Sequence, residues 1–139
     1  MNDKLAVGLE AGVKLPTAKD LIGSGKHDLI LNGIVSAELG AATLDVNLGA
    51  TRLGGVNPGE GRTASMWAAG LSYPLNEQWG ITGEFSGVSQ RGVPGTSQFL
   101  TAFSYNVSKT VVLDAGMAWG LTKASTDRSL FAGITVLLK

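Results

Sequence analysis

The chain has 139 residues, enough for one domain, and its 11 basic and 11 acidic residues give a formal charge of zero. This balance argues against a nucleic-acid surface, and the absence of cysteine excludes disulfide frameworks, thiolate metal sites and cysteine nucleophiles. No apolar run approaches the roughly 20 residues of a membrane-spanning helix, so this sequence could cross a membrane only as strands.

The first predicted element, residues 4–15, has apolar residues at odd positions and small or ionisable residues at even positions. A period of two indicates a β-strand, because successive side chains point to opposite faces. On the second face of a soluble strand we expect Lys and Glu, whereas this chain places mostly Gly, Ala, Ser, Thr and Asn there. That pattern is typical of a transmembrane barrel whose apolar face is turned outward to lipid.

The same alternation continues to the C-terminus and predicts eight strands. They span residues 4–15, 28–39, 42–53, 63–74, 78–89, 97–107, 110–121 and 129–138. Long or medium connections (16–27, 54–62, 91–96 and 122–128) alternate with tight turns, as in outer-membrane barrels. We therefore predict an all-β single domain over residues 1–139, an eight-stranded antiparallel up-and-down transmembrane β-barrel.

Polar residues of the predicted strands fall on the face that would line the lumen. The ionisable ones are Glu10, Lys14, Glu38, Asp45, Glu84 and Asp114. Unpaired buried carboxylates are costly, so these groups must pair, hydrate or titrate upward. A polar plug that holds the wall together is favoured over a cation-preferring pore, because eight strands leave room for little more than side chains.

Three aromatic residues, Tyr73, Trp79 and Tyr105, fall beside tight turns. Amphipathic rings concentrate where hydrocarbon meets headgroups, so these three predict an aromatic girdle at the periplasmic end of the barrel.

A family resemblance rests on the segments LDAGMAWGLT (113–122), ASTD (124–127) and LFAGITV (130–136). Together they resemble the closing hairpin of the bacterial outer-membrane family labelled "MetA-pathway of phenol degradation" or simply outer-membrane transporter. Residues 69–75 and 79–87 resemble its preceding hairpin, so the resemblance covers about 69–138. It implies an outer-membrane barrel with a role in the passage of small aromatic or hydrophobic compounds. For such a barrel we expect no enzymatic activity and no cofactor, and contact with the lipid bilayer and lipopolysaccharide.

Two departures from the family are visible. Its members are typically longer and finish on an aromatic residue, whereas this chain ends Leu137-Leu138-Lys139. The chain is therefore expected to be the C-terminal part of a longer barrel or a reduced relative. Its N-terminus has no signal peptide, so an exported protein would be represented here in mature or truncated form.

Two other functions stay open. A lipid-modifying outer-membrane enzyme would need Ser24, His27 and Asp28 to converge, although neighbours in one loop rarely do so. A soluble lipocalin-type barrel would place the apolar rows inside, but then water would meet a second face almost without charges. His27 is the sole histidine, which predicts no metal site, and acidic Asp20, Glu60 and Asp127 lie in separate loops as solvated charges.

Overall fold

The computed structural model describes residues 4–17 and 25–138, and their regular structure is a single antiparallel sheet of eight strands in sequence order. This confirms the predicted all-β, up-and-down arrangement. The strands are β1 (Leu5–Lys14), β2 (Asp28–Leu39), β3 (Ala42–Arg52), β4 (Thr63–Pro74), β5 (Trp79–Gln90), β6 (Val93–Asn106), β7 (Val111–Gly120) and β8 (Arg128–Val136). Ser24 and Asp20 lie outside the described residues.

Local turn chemistry explains why the strands stop where they do. Gly40 adopts a φ of +70° between β2 and β3, a backbone conformation that residues with a side chain rarely adopt. Between β4 and β5, the side-chain oxygen of Asn76 accepts hydrogen bonds of 2.9 Å from the backbone N–H groups of Gln78 and Trp79. These tight turns fix the register of the strands that they join.

The connection between β5 and β6 differs from the prediction. We expected a medium loop over 91–96, whereas β6 begins at Val93 and only Arg91 and Gly92 form the turn. Gly92 has a φ of +80°, and the pairing shifts by one residue between Val88 and Gln90. Pro94 indicated a loop in the sequence, yet a strand tolerates proline near its first residue or beside a bulge, and here both conditions apply.

The register separates the residues into two faces. Glu10, Asn32, Gly49, Met66 and Val88 lie opposite one another in successive strand pairs and therefore share what we call the inner face. The opposite, outer face carries the apolar rows, and its side chains are open to solvent: Leu9 is 77% exposed, Leu48 66% and Leu130 76%.

The sheet curves around the inner face, as shown by one cavity there that is lined by residues of β2 to β6 and of β8. Small or polar residues account for the buried positions among the described residues: Asp28, Gly61, Gly70, Gly87 and Ala118. In residues 4–17 and 25–138 the apolar rows therefore form no interior core, which is the reverse of the lipocalin-type arrangement.

The prediction of a closed barrel is not met in this structure. In the described part of the chain, β1 pairs with β2 alone and β8 with β7 alone, and no contact joins β1 to β8. Each of the seven observed pairs joins strands that are consecutive in the sequence. β1 and β8 are not consecutive, so no single loop brings them together. Their pairing depends on the accumulated curvature and stagger of the whole sheet.

No described segment forms a helix long and apolar enough to cross a membrane.

Candidate functional site

Charged side chains within the strands are divided unequally between the two faces. Seven belong to the inner face: Glu10, Lys14, Asp28, Glu38, Asp45, Glu84 and Asp114. The two on the outer face, Arg52 and Arg128, lie at strand ends beside the longer connections. All six residues predicted to line the lumen therefore share one face of the sheet.

Four of these carboxylates occupy the half of the inner face nearest the tight turns. The hydroxyl of Ser36 donates a short hydrogen bond to Asp45, its direct partner in the neighbouring strand. Glu84 lies beside Gly70, and the carboxylate of Asp114 lies over Gly133, so a glycine opposite each acid leaves room for it. Glu38, Glu84 and Asp114 have no ion-pair partner among the described residues, which leaves this half of the face acidic.

An ion pair ties the other ends of β1 and β2 together. The ammonium group of Lys14 contacts the carboxylate of Asp28, its direct partner in the register, and the backbone N–H of Gly54 donates to that carboxylate at 3.0 Å. Asp28 is buried, whereas the side chain of Lys14 is half-exposed. The sequence assigned Lys14 to the lumen but did not identify Asp28 as its partner. The two residues are separated along the chain, and only the strand register shows that they lie opposite each other.

The connection 53–62 is an ordered rim above β3 and β4. The carboxylate of Glu60 accepts hydrogen bonds from the side-chain amide of Asn57 at 2.9 Å and from its backbone N–H at 3.0 Å. These bonds hold the pKa of Glu60 below its usual value. The N–H of Gly61 donates to the carbonyl of Arg91 at 2.7 Å, which joins this rim to the β5–β6 turn.

The three residues of the predicted girdle lie on the outer face beside tight turns. Trp79 and Tyr105 are direct partners across β5 and β6, with ring centroids 4.8 Å apart, and Tyr73 lies opposite Ile81. Six residues further along the strands, Phe85, Phe99 and Trp119 form a second row with centroid separations of 4.7 and 6.1 Å. The sequence showed each of these rings on the outward row but did not reveal that they touch.

A cavity of about 450 Å³ occupies the half of the inner face nearest the longer connections. Asn32 and Asn47 line one side, and Ser86, Val88 and Gln98 line another. Sequence reasoning missed this site, because uncharged polar residues on an inward row look the same whether they pack or surround a space. The alternation of Asn32 between Ile30 and Ile34 was the available signal.

The β7–β8 connection forms part of the cavity wall. The hydroxyl of Ser125 donates to the carbonyl of Ser97 at 2.7 Å and accepts from its N–H at 3.0 Å. The hydroxyl of Thr122 donates to the carbonyl of Gly95 at 3.0 Å. These bonds hold residues 124–126 against β6, so the wall is built from ordered backbone.

Of the three residues that the enzyme hypothesis requires, the structure describes His27 and Asp28. Asp28 is engaged by Lys14 and Gly54, and no hydrogen bond joins it to the side chain of His27, which is exposed. Ser24 lies outside the described residues. Nor does the part of the chain that the structure describes contain a group of three or more His, Asp or Glu side chains able to hold a metal ion.

Comparisons with protein-family models, with curated proteins and with solved structures each find no match to this chain. The resemblance to the outer-membrane transporter family therefore stays a prediction, and the functional argument depends on the two faces of the sheet.

Proposed function

We propose that this protein is a β-barrel wall of the bacterial outer membrane, with its outer face against lipid and its inner face around a narrow polar passage for small solutes. The observation that carries the proposal is the division of charge. Every acidic residue of the strands lies on the inner face, and the two charges of the outer face lie at strand ends.

The energetics of lipid exposure explain that division. A lysine or arginine at the middle of a lipid-facing strand costs about 2–4 kcal/mol, and the cost falls towards zero near the interfaces. Arg52 and Arg128 stand where this cost is small and where phosphate groups of lipopolysaccharide would be within reach. A soluble monomer, by contrast, rarely exposes an apolar patch of more than a few hundred Å².

The aromatic residues support the same orientation. Trp79 and Tyr105 lie at the ends of β5 and β6 nearest the tight turns, where their polar atoms would meet headgroups and their rings hydrocarbon. The tight-turn rim is accordingly proposed to be periplasmic. The rim with Arg52 and Arg128 would face outward to lipopolysaccharide.

A bilayer also requires that the free edges of β1 and β8 be paired. Unpaired backbone N–H and C=O groups cost several kcal/mol each in hydrocarbon, so an open edge does not persist there. Neither β1 nor β8 contains proline, and β8 has no charge in its middle; soluble proteins use both devices to protect an edge. We propose that insertion into lipid brings these two edges together.

The charge of the inner face would set the ionic preference of the passage. Six carboxylates and one ammonium group face inward, so anions would be repelled from the passage. Solutes would first meet the uncharged cavity below the outward rim and then the acidic half.

The experiment compares two neighbouring residues of β3 that point to opposite faces. Leu48→Lys places a charge on the outer face near mid-strand, and Asn47→Lys places the same charge on the inner face. The proteins are refolded into phospholipid vesicles, and the folded fraction is measured by heat-modifiable migration on a gel. We expect Leu48→Lys to lose about 2–4 kcal/mol of folding free energy and Asn47→Lys to retain most of it.

A soluble protein would respond differently to Leu48→Lys. Leu48 is already 66% exposed, so in water its replacement by lysine would be tolerated. A monodisperse wild-type monomer in buffer without detergent, together with normal folding of Leu48→Lys, would overturn the proposal.

A further inference from the structure

The cavity differs from the rest of the inner face in having no charged residue among the described residues of its wall. The acids Glu38, Asp45, Glu84 and Asp114 lie outside it, and its polar lining consists of carboxamides and hydroxyls. A site of this composition has no partner for an ion but can exchange several hydrogen bonds with a neutral molecule.

One atom in this wall is unsatisfied. Oδ1 of Asn32 is buried and accepts no hydrogen bond in the described structure, although the amide nitrogen of Asn32 reaches Oδ1 of Asn47 at 3.5 Å. A buried polar atom without a partner destabilises the folded protein, so a donor that reached it would recover much of that free energy. This acceptor therefore points to a ligand that brings an O–H or N–H group.

A flexible side chain lies near the acceptor. A Cβ atom added at Gly49 would lie 2.8 Å from Cγ of Met66 and 3.1 Å from Oδ1 of Asn32, so both side chains occupy the space that glycine leaves at this position. Methionine has three rotatable bonds and moves at small cost. A rotation of Met66 would open Asn32 to the cavity without a change in the backbone.

Polar groups on the other side of the cavity are also available. The side chains of Ser86 and Gln98, direct partners across β5 and β6, make no hydrogen bond to a described residue. Together with Asn32 and Asn47 they present both donors and acceptors to the same space. Val88 and Met66 add apolar surface of the kind that covers the C–H groups of a ligand.

We infer that this cavity binds a small uncharged polyol, of the size of a mono- or disaccharide, with one ligand hydroxyl donating to Oδ1 of Asn32. A volume of about 450 Å³ lies within the range of sites for small molecules. The inference rests on the proposed function, because it names the solute class for the passage through the inner face. Anions would be disfavoured by the neighbouring acids, and cations would find no counter-charge in the wall.

The test is isothermal titration calorimetry on the full chain folded in detergent micelles, with glucose and maltose as neutral probes and glucose 6-phosphate as the anionic probe. We expect binding of a neutral sugar and at least about tenfold weaker binding of the phosphate ester. Asn32→Leu removes the acceptor and should weaken neutral-sugar binding about tenfold, the equivalent of one hydrogen bond. Asn106→Leu, the same substitution at the tight-turn end of β6 and outside the cavity, is the matched control and should leave that affinity unchanged.

The outcomes separate this inference from the proposed function. Failure of the wild type to fold in micelles or vesicles overturns the membrane proposal and this inference with it. Normal folding without binding of either neutral sugar overturns the inference alone, as does equal binding of glucose 6-phosphate or an unchanged affinity in Asn32→Leu. Ser86→Ala provides a second variant that keeps the fold and should also weaken binding.

Discussion

The ring of Phe131 lies over Gly116, its direct partner across β7 and β8. A Cβ atom at position 116 would stand 2.6 Å from Cζ of that ring and would also clash with the backbone carbonyl of Thr101. The pair shows how the inner face is packed: a large side chain on an edge strand fills the space above a glycine in the strand beside it.

Replacement of Gly116 by alanine should therefore destabilise the sheet. Because one obstacle is backbone, which cannot move aside cheaply, we expect Gly116→Ala to cost about 1–3 kcal/mol in the free energy of unfolding. Urea titration of the micelle-bound protein measures it. Gly8→Ala is the control, since its nearest neighbour would be Cβ of Ile34 at an ordinary 3.6 Å, and a destabilisation of more than about 0.5 kcal/mol there would contradict the packing proposed at Gly116.

The loop with Glu60 should respond to acid in a defined direction. Its pKa is lowered because Asn57 donates two hydrogen bonds to the ionised carboxylate. The contribution of these bonds to stability is thus fully present above the ordinary pKa of glutamate. It is lost as the pH falls through the lowered pKa of Glu60. In an NMR titration, the Glu60 carboxyl carbon and the Asn57 amide should show one shared transition, at a pH below the usual pKa of glutamate. A midpoint at the usual pKa would refute the prediction.

The proposed β1–β8 seam can be tested with paired cysteines, because the chain contains none of its own. Leu9→Cys with Ile134→Cys places one thiol on the outer face of each edge strand, and a short thiol-reactive cross-linker should join them within one chain in vesicles. Leu9→Cys with Phe85→Cys, on strands β1 and β5, is the control and should not react across the sheet. A product of twice the chain mass would instead mean that a second copy pairs with the edges.

Lipid contact of the outer face predicts a fluorescence result. All three tryptophans, Trp67, Trp79 and Trp119, lie on that face. In a variant that keeps only Trp79, with phenylalanine at the other two positions, bromine near the headgroup end of the acyl chains should quench emission more strongly than bromine near the chain ends. Emission that no brominated lipid quenches would remove Trp79 from the membrane interface.

Much of the fold could be predicted from the sequence, because strand alternation and turn chemistry are local. The bounds of β2 and β4 match the prediction residue for residue, and the apolar rows fall on one face as expected. The start of β6 could not be predicted in this way. In the sequence, Pro94 and Gly95 indicate a loop. The register shift between Val88 and Gln90, which only the structure shows, explains how the strand accommodates a proline.

The same distinction applies to the candidate site: one part could be predicted from the sequence and another could not. That Glu10, Lys14 and Glu84 share a face followed from their parity within strands, which is a property of the chain alone. Other features depended on the register between strands and on the curvature of the sheet. These are the contact of Lys14 with Asp28, the unsatisfied side-chain oxygen of Asn32, and the shared cavity beside Ser86 and Gln98.

The alternation of the sequence thus determined which side of each strand is apolar, since a period of two requires no knowledge of the neighbouring strand. The tertiary structure decided which polar groups meet, where space remains between them, and that β1 and β8 stand apart. The reason is physical: side-chain direction is set within one strand, whereas pairing, cavities and closure arise from the summed stagger and curvature of eight.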